Sequence, residues 1–176
     1  MPTDVGFVRD SGPIAYFLTW TTHGSWLPGD ARGWTKRTGT FCLPNEPLLI
    51  AASRTMTTSP VTLSMAQRRA VHHAIHVTCG HREWTLHACQ CRTQHVHVVV
   101  SARNISPKLI LAQLKAWTTR LLMAISCTRS AHRRLWTRGG SARLIYGESA
   151  LARVIEYVAE AQDRPRVPRC SQADRP

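Results

Sequence analysis

His95 and His97 stand one residue apart in Gln94-His95-Val96-His97-Val98-Val99-Val100, where every other position from Val96 on is valine. β-Branched side chains favour extended backbone, so the run predicts a buried strand. Alternate strand residues share a face. Both imidazoles therefore point one way, about 7 Å apart along the strand, and Val96, Val98 and Val100 point the other. Two imidazoles so placed can reach one divalent ion; the alternative is a pair of hydrogen-bonded histidines at a sheet surface. The third group is Tyr157, in Ile155-Glu156-Tyr157-Val158. A phenol titrates near ~10 and is a weak nucleophile while protonated. A metal held by the histidines would polarise a phosphate and fix it for in-line attack. A covalent phosphotyrosine would conserve the bond energy, so passing the phosphoryl group on would need no ATP.

Several elements must position these groups. Tyr16 to Thr22 reads as a first strand, and Glu83–Cys91 with His95–Ser101 as a hairpin. Ser64 and Gln67 form a capping box for a helix that Gly80 is expected to stop. Ser106-Pro107 opens a second helix with an apolar stripe of Ile110, Leu111, Leu114, Thr118, Leu121, Leu122 and Ile125. His132–Gly140 and Ala142–Tyr146 suggest two short strands around a glycine turn. The last helix is expected over Glu148–Gln162, its stripe formed by Leu151, Val154, Ile155 and Val158. Tyr157 lies about 110° from the centre of that stripe, at its flank, with the hydroxyl outside the core. Residues 35–62 read as an irregular, proline-containing insertion. The whole suggests a single domain over 14–163, with an N-terminal tail over 1–13 and a disordered tail over 164–176.

The chain has 176 residues and a formal charge of +13, which suits a polyanionic partner. No apolar run reaches the ~18 residues of a spanning helix, and no signal pattern opens the chain; a cytoplasmic protein is expected. Its cationic and aromatic residues suggest where DNA would lie. Trp26 and Trp34 occupy a glycine-rich basic loop, where they either stack on bases or plug the core edge. Lys115 and Arg120 lie largely off their helix's stripe. Arg133, Arg134, Arg138 and Arg143 cluster around Trp136, a pattern suited to tracking a single strand. His72, His73 and His76 read as a helix surface. The six cysteines include no Cys-x-x-Cys pair and are expected to be reduced thiols. A zinc quartet of Cys89, Cys91, His95 and His97 would require the intervening turn to keep register.

The order of five segments resembles the HUH single-tyrosine transposases, above all the REP-associated branch and related insertion-sequence enzymes. They are Phe17-Leu18-Thr19-Trp20-Thr21-Thr22, His95-Val96-His97, Leu114-Lys115-Ala116-Trp117, Leu135-Trp136 and Ile155-Glu156-Tyr157-Val158. The resemblance implies an α+β, RRM/ferredoxin-like fold: a central antiparallel sheet with helices packed on one side. It implies Mg²⁺ or Mn²⁺ on His95 and His97, and Tyr157 attacking single-stranded or hairpin DNA to give a 5′-phosphotyrosine and a free 3′-OH. The family includes dimers and monomers. Two departures stand out. Arg92-Thr93-Gln94 replaces the family's Met-Pro-Asn before the first histidine. The polar ligand one turn after the tyrosine is replaced by Ala161, which leaves Gln162, or alternatively Glu160, to complete the metal site. A non-catalytic or domesticated single-strand binder on the same sheet is the competing expectation.

Overall fold

The computed structural model describes residues 12–36, 38–125 and 134–160. Along them run β1 (Ala15–Thr21), β2 (Trp34–Thr35), β3 (Phe41–Cys42), α1 (Glu46–Arg54), α2 (Met65–His81), β4 (Thr85–Cys91), β5 (His95–Ser101), α3 (Pro107–Ile125), β6 (Ser141–Ile145) and α4 (Glu148–Ala159). Four strands form one antiparallel sheet in the order β4-β5-β1-β6, and β2 pairs with β3 in a separate hairpin. The result is a mixed α+β fold with a central antiparallel sheet flanked by helices.

The two central strands decide the layering, because each carries apolar side chains on both faces. Leu18 and Trp20 of β1 and Val96, Val98 and Val100 of β5 are almost wholly buried. They pack under Val71, Ile75 and Cys79 of α2 and Ile110, Leu111, Leu114 and Leu122 of α3. Ala15, Phe17 and Val99 face the other way and are buried with Leu151 and Val158 of α4. The expected placement of all helices on one side is therefore corrected: α4 covers the second face. Phe17 and Val99 leave apolar surface there, and the stripe of α4 removes it from water.

Local signals account for most boundaries. The Ser64 capping box is present, with Gln67 N–H donating to Ser64 Oγ at 3.2 Å and Ser64 N–H to Gln67 Oε1 at 2.9 Å. Gly80 does not stop α2; the helix runs on to His81, and the chain turns at Glu83 with φ 57°. The stretch 35–62 is not irregular throughout, since it carries β2, β3 and α1. Asn45 caps α1, accepting the Leu48 N–H at 2.9 Å, with proline in the first turn. Of the strand expected before the glycine turn, the described residues from 134 on show one bridge, Thr22 to Trp136. Among the described residues no helix is long and apolar enough to cross a membrane.

Candidate active site

His95 and His97 leave β5 on the face that α4 covers, as strand alternation requires. Their ring centroids are 4.9 Å apart, and the planes meet at 77°. The turn before them is pinned: Thr22 N–H donates to the Gln94 carbonyl at 2.8 Å, and Arg92 N–H to the His95 carbonyl at 2.8 Å. Thr19 pairs with His97 across β1 and β5. Its Oγ1 is hydrogen-bonded to His97 Nδ1 at 2.9 Å. Phe17, two residues earlier on the same face, stacks on the His97 ring at 5.4 Å and 17°.

Tyr157 comes from α4 to the same place. Its ring meets His97 edge-on at 6.2 Å and Phe17 at 6.1 Å. Half-buried, it packs at the margin of the second core cluster, at the flank of the helix stripe. His95, His97 and Tyr157, up to 62 positions apart in sequence, thus join Phe17 in one aromatic group on the sheet surface. Neither Phe17 nor Thr19 carries an individual signal in the sequence. Their relation to the histidines is a matter of strand register between segments 78 residues apart, and no local pattern carries it.

The donor set decides whether a metal fits here. Two imidazoles edge-on to each other on one face of a strand, one of them hydrogen-bonded at Nδ1 to a hydroxyl, suit a divalent ion. Among the described residues no third His, Cys, Asp or Glu joins them. Glu160 is the exposed C-cap of α4, and Gln162 lies outside the described residues. The zinc quartet does not form. Cys89 is opposite Val98 and Cys91 opposite Val96, so both thiols face α2 and α3, behind the sheet from the histidines. Burial pushes the Cys79 thiol up to about 11, Cys91 to about 12 and Cys89 higher still. Such groups stay protonated and inert.

The residues expected to touch DNA are distributed unevenly. Trp26 is 43% exposed; its Nε1–H donates to the Gly33 carbonyl at 2.6 Å, and the Arg32 guanidinium lies 5.6 Å from its ring. Trp34 is half-buried in β2, and Arg134, Arg138 and Arg143 are exposed. Arg120 lies over Trp117 at 4.7 Å. Trp136, expected among the strand-tracking arginines, lies in the core: it is 5% exposed and edge-on to Trp20 at 6.0 Å. Lys115 is half-buried, and Nζ donates to the Thr137 and Gly139 carbonyls at 2.7 and 2.6 Å. Desolvation lowers its pKa; at least two of its three N–H donors hold the loop after Trp136. Arg133 lies outside the described residues. His72 and His76 lie 4.5 Å apart on the exposed side of α2, and burial, helped by its histidine neighbours, lowers the His72 pKa.

No curated protein matches the chain. A solved structure of a REP-associated tyrosine transposase bound to a REP hairpin is 12% identical, with a TM-score of 0.50 over 90% of this chain and 70% of that one. A transposase candidate from Deinococcus radiodurans R1 is 14% identical, with a TM-score of 0.46 over 90% and 95%. The family model described as "Transposase IS200 like" matches residues 58–161. With more than half of its length matched by that model, the chain belongs to the IS200-like transposase family, and so to the nucleic-acid-acting proteins of mobile elements.

Proposed function

We propose that this protein cuts and rejoins single-stranded DNA, with Tyr157 as nucleophile and a divalent ion, Mg²⁺ or Mn²⁺, on His95 and His97. The observation that carries the proposal is the convergence of the three side chains, with His97 4.9 Å from His95 and 6.2 Å from Tyr157 by ring centroids. The ion, when bound, would neutralise charge on the non-bridging phosphate oxygens. Everything else falls to the chain itself. Thr19 engages Nδ1 of His97, so Nε2 is the nitrogen that would hold the ion, and Phe17 stacks on the ring. Gln162 is the proposed third ligand, with Glu160 as its alternative.

In the proposed step the Tyr157 hydroxyl oxygen forms a bond to phosphorus and gives up its proton to water. The bond from phosphorus to the 3′ oxygen of the strand breaks, and that oxygen takes a proton to become a free 3′-OH. Attack by a 3′-OH on the 5′-phosphotyrosine reverses the chemistry and releases Tyr157. The order β6-β1-β5-β4, with α2 and α3 as crossovers on one face, supports a ferredoxin-like HUH fold within residues 14–163. The likeness to a hairpin-bound REP-associated transposase supports a hairpin-bearing strand as substrate, with a monomer or homodimer as the acting form.

The wild-type protein, given Mn²⁺ or Mg²⁺ and a hairpin-bearing single strand, should form an adduct that survives denaturing electrophoresis. Tyr157→Phe should form none while binding DNA about equally. His95→Ala or His97→Ala should remove the metal-dependent cleavage and leave binding largely intact, since phosphate contacts are spread elsewhere. An adduct that persists in Tyr157→Phe but vanishes in Tyr146→Phe would move the nucleophile. Complete absence of an adduct on every hairpin-bearing strand would leave a non-catalytic binder.

A further inference from the structure

We propose that the cleft beside the histidine pair, walled by the Trp26 and Trp34 indoles, holds one unpaired nucleobase of the strand next to the phosphate being cut. This rests on the strand-cutting function above. The cleft has a volume of about 320 Å³, and Thr19, Thr21, Trp26, Trp34, Arg138 and Ser141 are among its lining residues.

Its position is the first argument. Thr19 lines the cleft and its Oγ1 also bonds His97 Nδ1, so the two sites share a residue. Ser141, Thr19 and His97 stand in register on β6, β1 and β5. Two strand spacings put the far rim about 10 Å from His97. A strand whose phosphate lies at the histidines would pass over this opening.

The indoles supply the second argument. Trp20, Trp84 and Trp136 fill the core at 1, 6 and 5% exposure, whereas Trp26 stays 43% exposed. Trp26 is not a loose side chain. Its Nε1–H is committed to the Gly33 carbonyl, and the neighbouring Arg32 is tied to Asp30 at 2.8 Å and to the Ser25 carbonyl at 2.8 Å. An aromatic surface already held in place loses little freedom when a base stacks on it. Leu27 and Pro28 complete an apolar wall, and Arg138 at the rim offers a cation to the phosphate. A base inside a duplex has both π-faces occupied by its neighbours, so an indole cleft selects an unpaired one.

The test scans single abasic sites through the unpaired flanks of a hairpin-bearing strand, with affinity read by fluorescence anisotropy on the Tyr157→Phe background so that no cutting intervenes. One unpaired position should lose about tenfold in affinity or more when its base is removed. In Trp26→Ala that sensitivity should fall below about twofold, and Trp26→Phe, which keeps a stacking face, should retain most of it. Thr35→Trp, placed on an exposed rim residue, should block the cleft and abolish the sensitivity without touching Trp26; it carries the test should Trp26→Ala fail to fold. A strand with no sensitive position, or sensitivity undiminished in Thr35→Trp, overturns the proposal. Because the readout is affinity, the two readings separate. A base-sensitive position without any adduct in the Tyr157-containing protein leaves the cleft standing and removes strand cutting. An adduct without a base-sensitive position removes only the cleft.

Discussion

A hydroxyl on the neighbouring strand governs how His97 is presented. Thr19 Oγ1 sits 2.9 Å from Nδ1, and Phe17 lies flat against the ring, so the imidazole is constrained at one nitrogen and over one face. Groups that orient a ligating histidine typically change metal affinity by about 10- to 100-fold when removed. Thr19→Val keeps the shape and β-branching and deletes only the hydroxyl. It should weaken Mn²⁺ binding by about that factor, measured by electron paramagnetic resonance titration, with little effect on thermal unfolding. An unchanged Mn²⁺ affinity would mean that the Thr19 hydroxyl does not orient the ring for the ion.

At the scale of elements, the loop between β1 and α1 depends on backbone that only glycine enters easily. Gly29 has φ 88°, and a Cβ there would run into the Asn45 carbonyl oxygen and the Leu49 amide of α1. The Gly29 carbonyl in turn accepts the Asn45 N–H at 3.0 Å. The loop that carries Trp26 is therefore packed against the cap of α1 with no room between them. Gly29→Ala should cost about 1–3 kcal/mol. Gly80 is the opposite case: it lies inside α2, and a Cβ there would meet nothing within 4 Å. Gly80→Ala should stabilise by about 0.5–1 kcal/mol, through lost backbone freedom in the unfolded chain. Urea unfolding of the two variants should shift the midpoint in opposite directions; a shared sign would refute one of these two assignments.

For the whole molecule the formal charge of +13 sets the terms of association with DNA. Exposed Arg138 and Arg143 flank and occupy the edge strand β6, and Arg143 pairs with Phe17 on the face that bears the histidines. If each neutralises one phosphate of a single strand, the logarithmic salt slope loses about 0.7 per arginine. The double variant Arg138→Ala, Arg143→Ala should therefore reduce the slope's magnitude by about 1.4, measured by titration across a salt series. An unchanged slope would take this edge out of the interface.

Features of short range in sequence were determined by the sequence alone. The alternation of β5 put both histidines on one face, the 3.6-residue period of α4 set Tyr157 at the flank of its stripe, and the Ser64 and Ser106-Pro107 signals opened α2 and α3 where they occur. The Asn45-Glu46-Pro47 start of α1 was equally legible by the same rule, although the surrounding prolines suggested irregular chain. Tertiary structure alone decided which surfaces these elements would meet. Trp136 and Trp26 are the same residue type in similar basic, glycine-containing loops, yet one is in the core and the other is exposed, because only one lies over Trp20. Thr19 reaches His97, and α4 closes on the face opposite α2 and α3, through pairings between distant segments. No local period encodes such pairings; they follow from which apolar faces remain uncovered once β1 and β5 are joined.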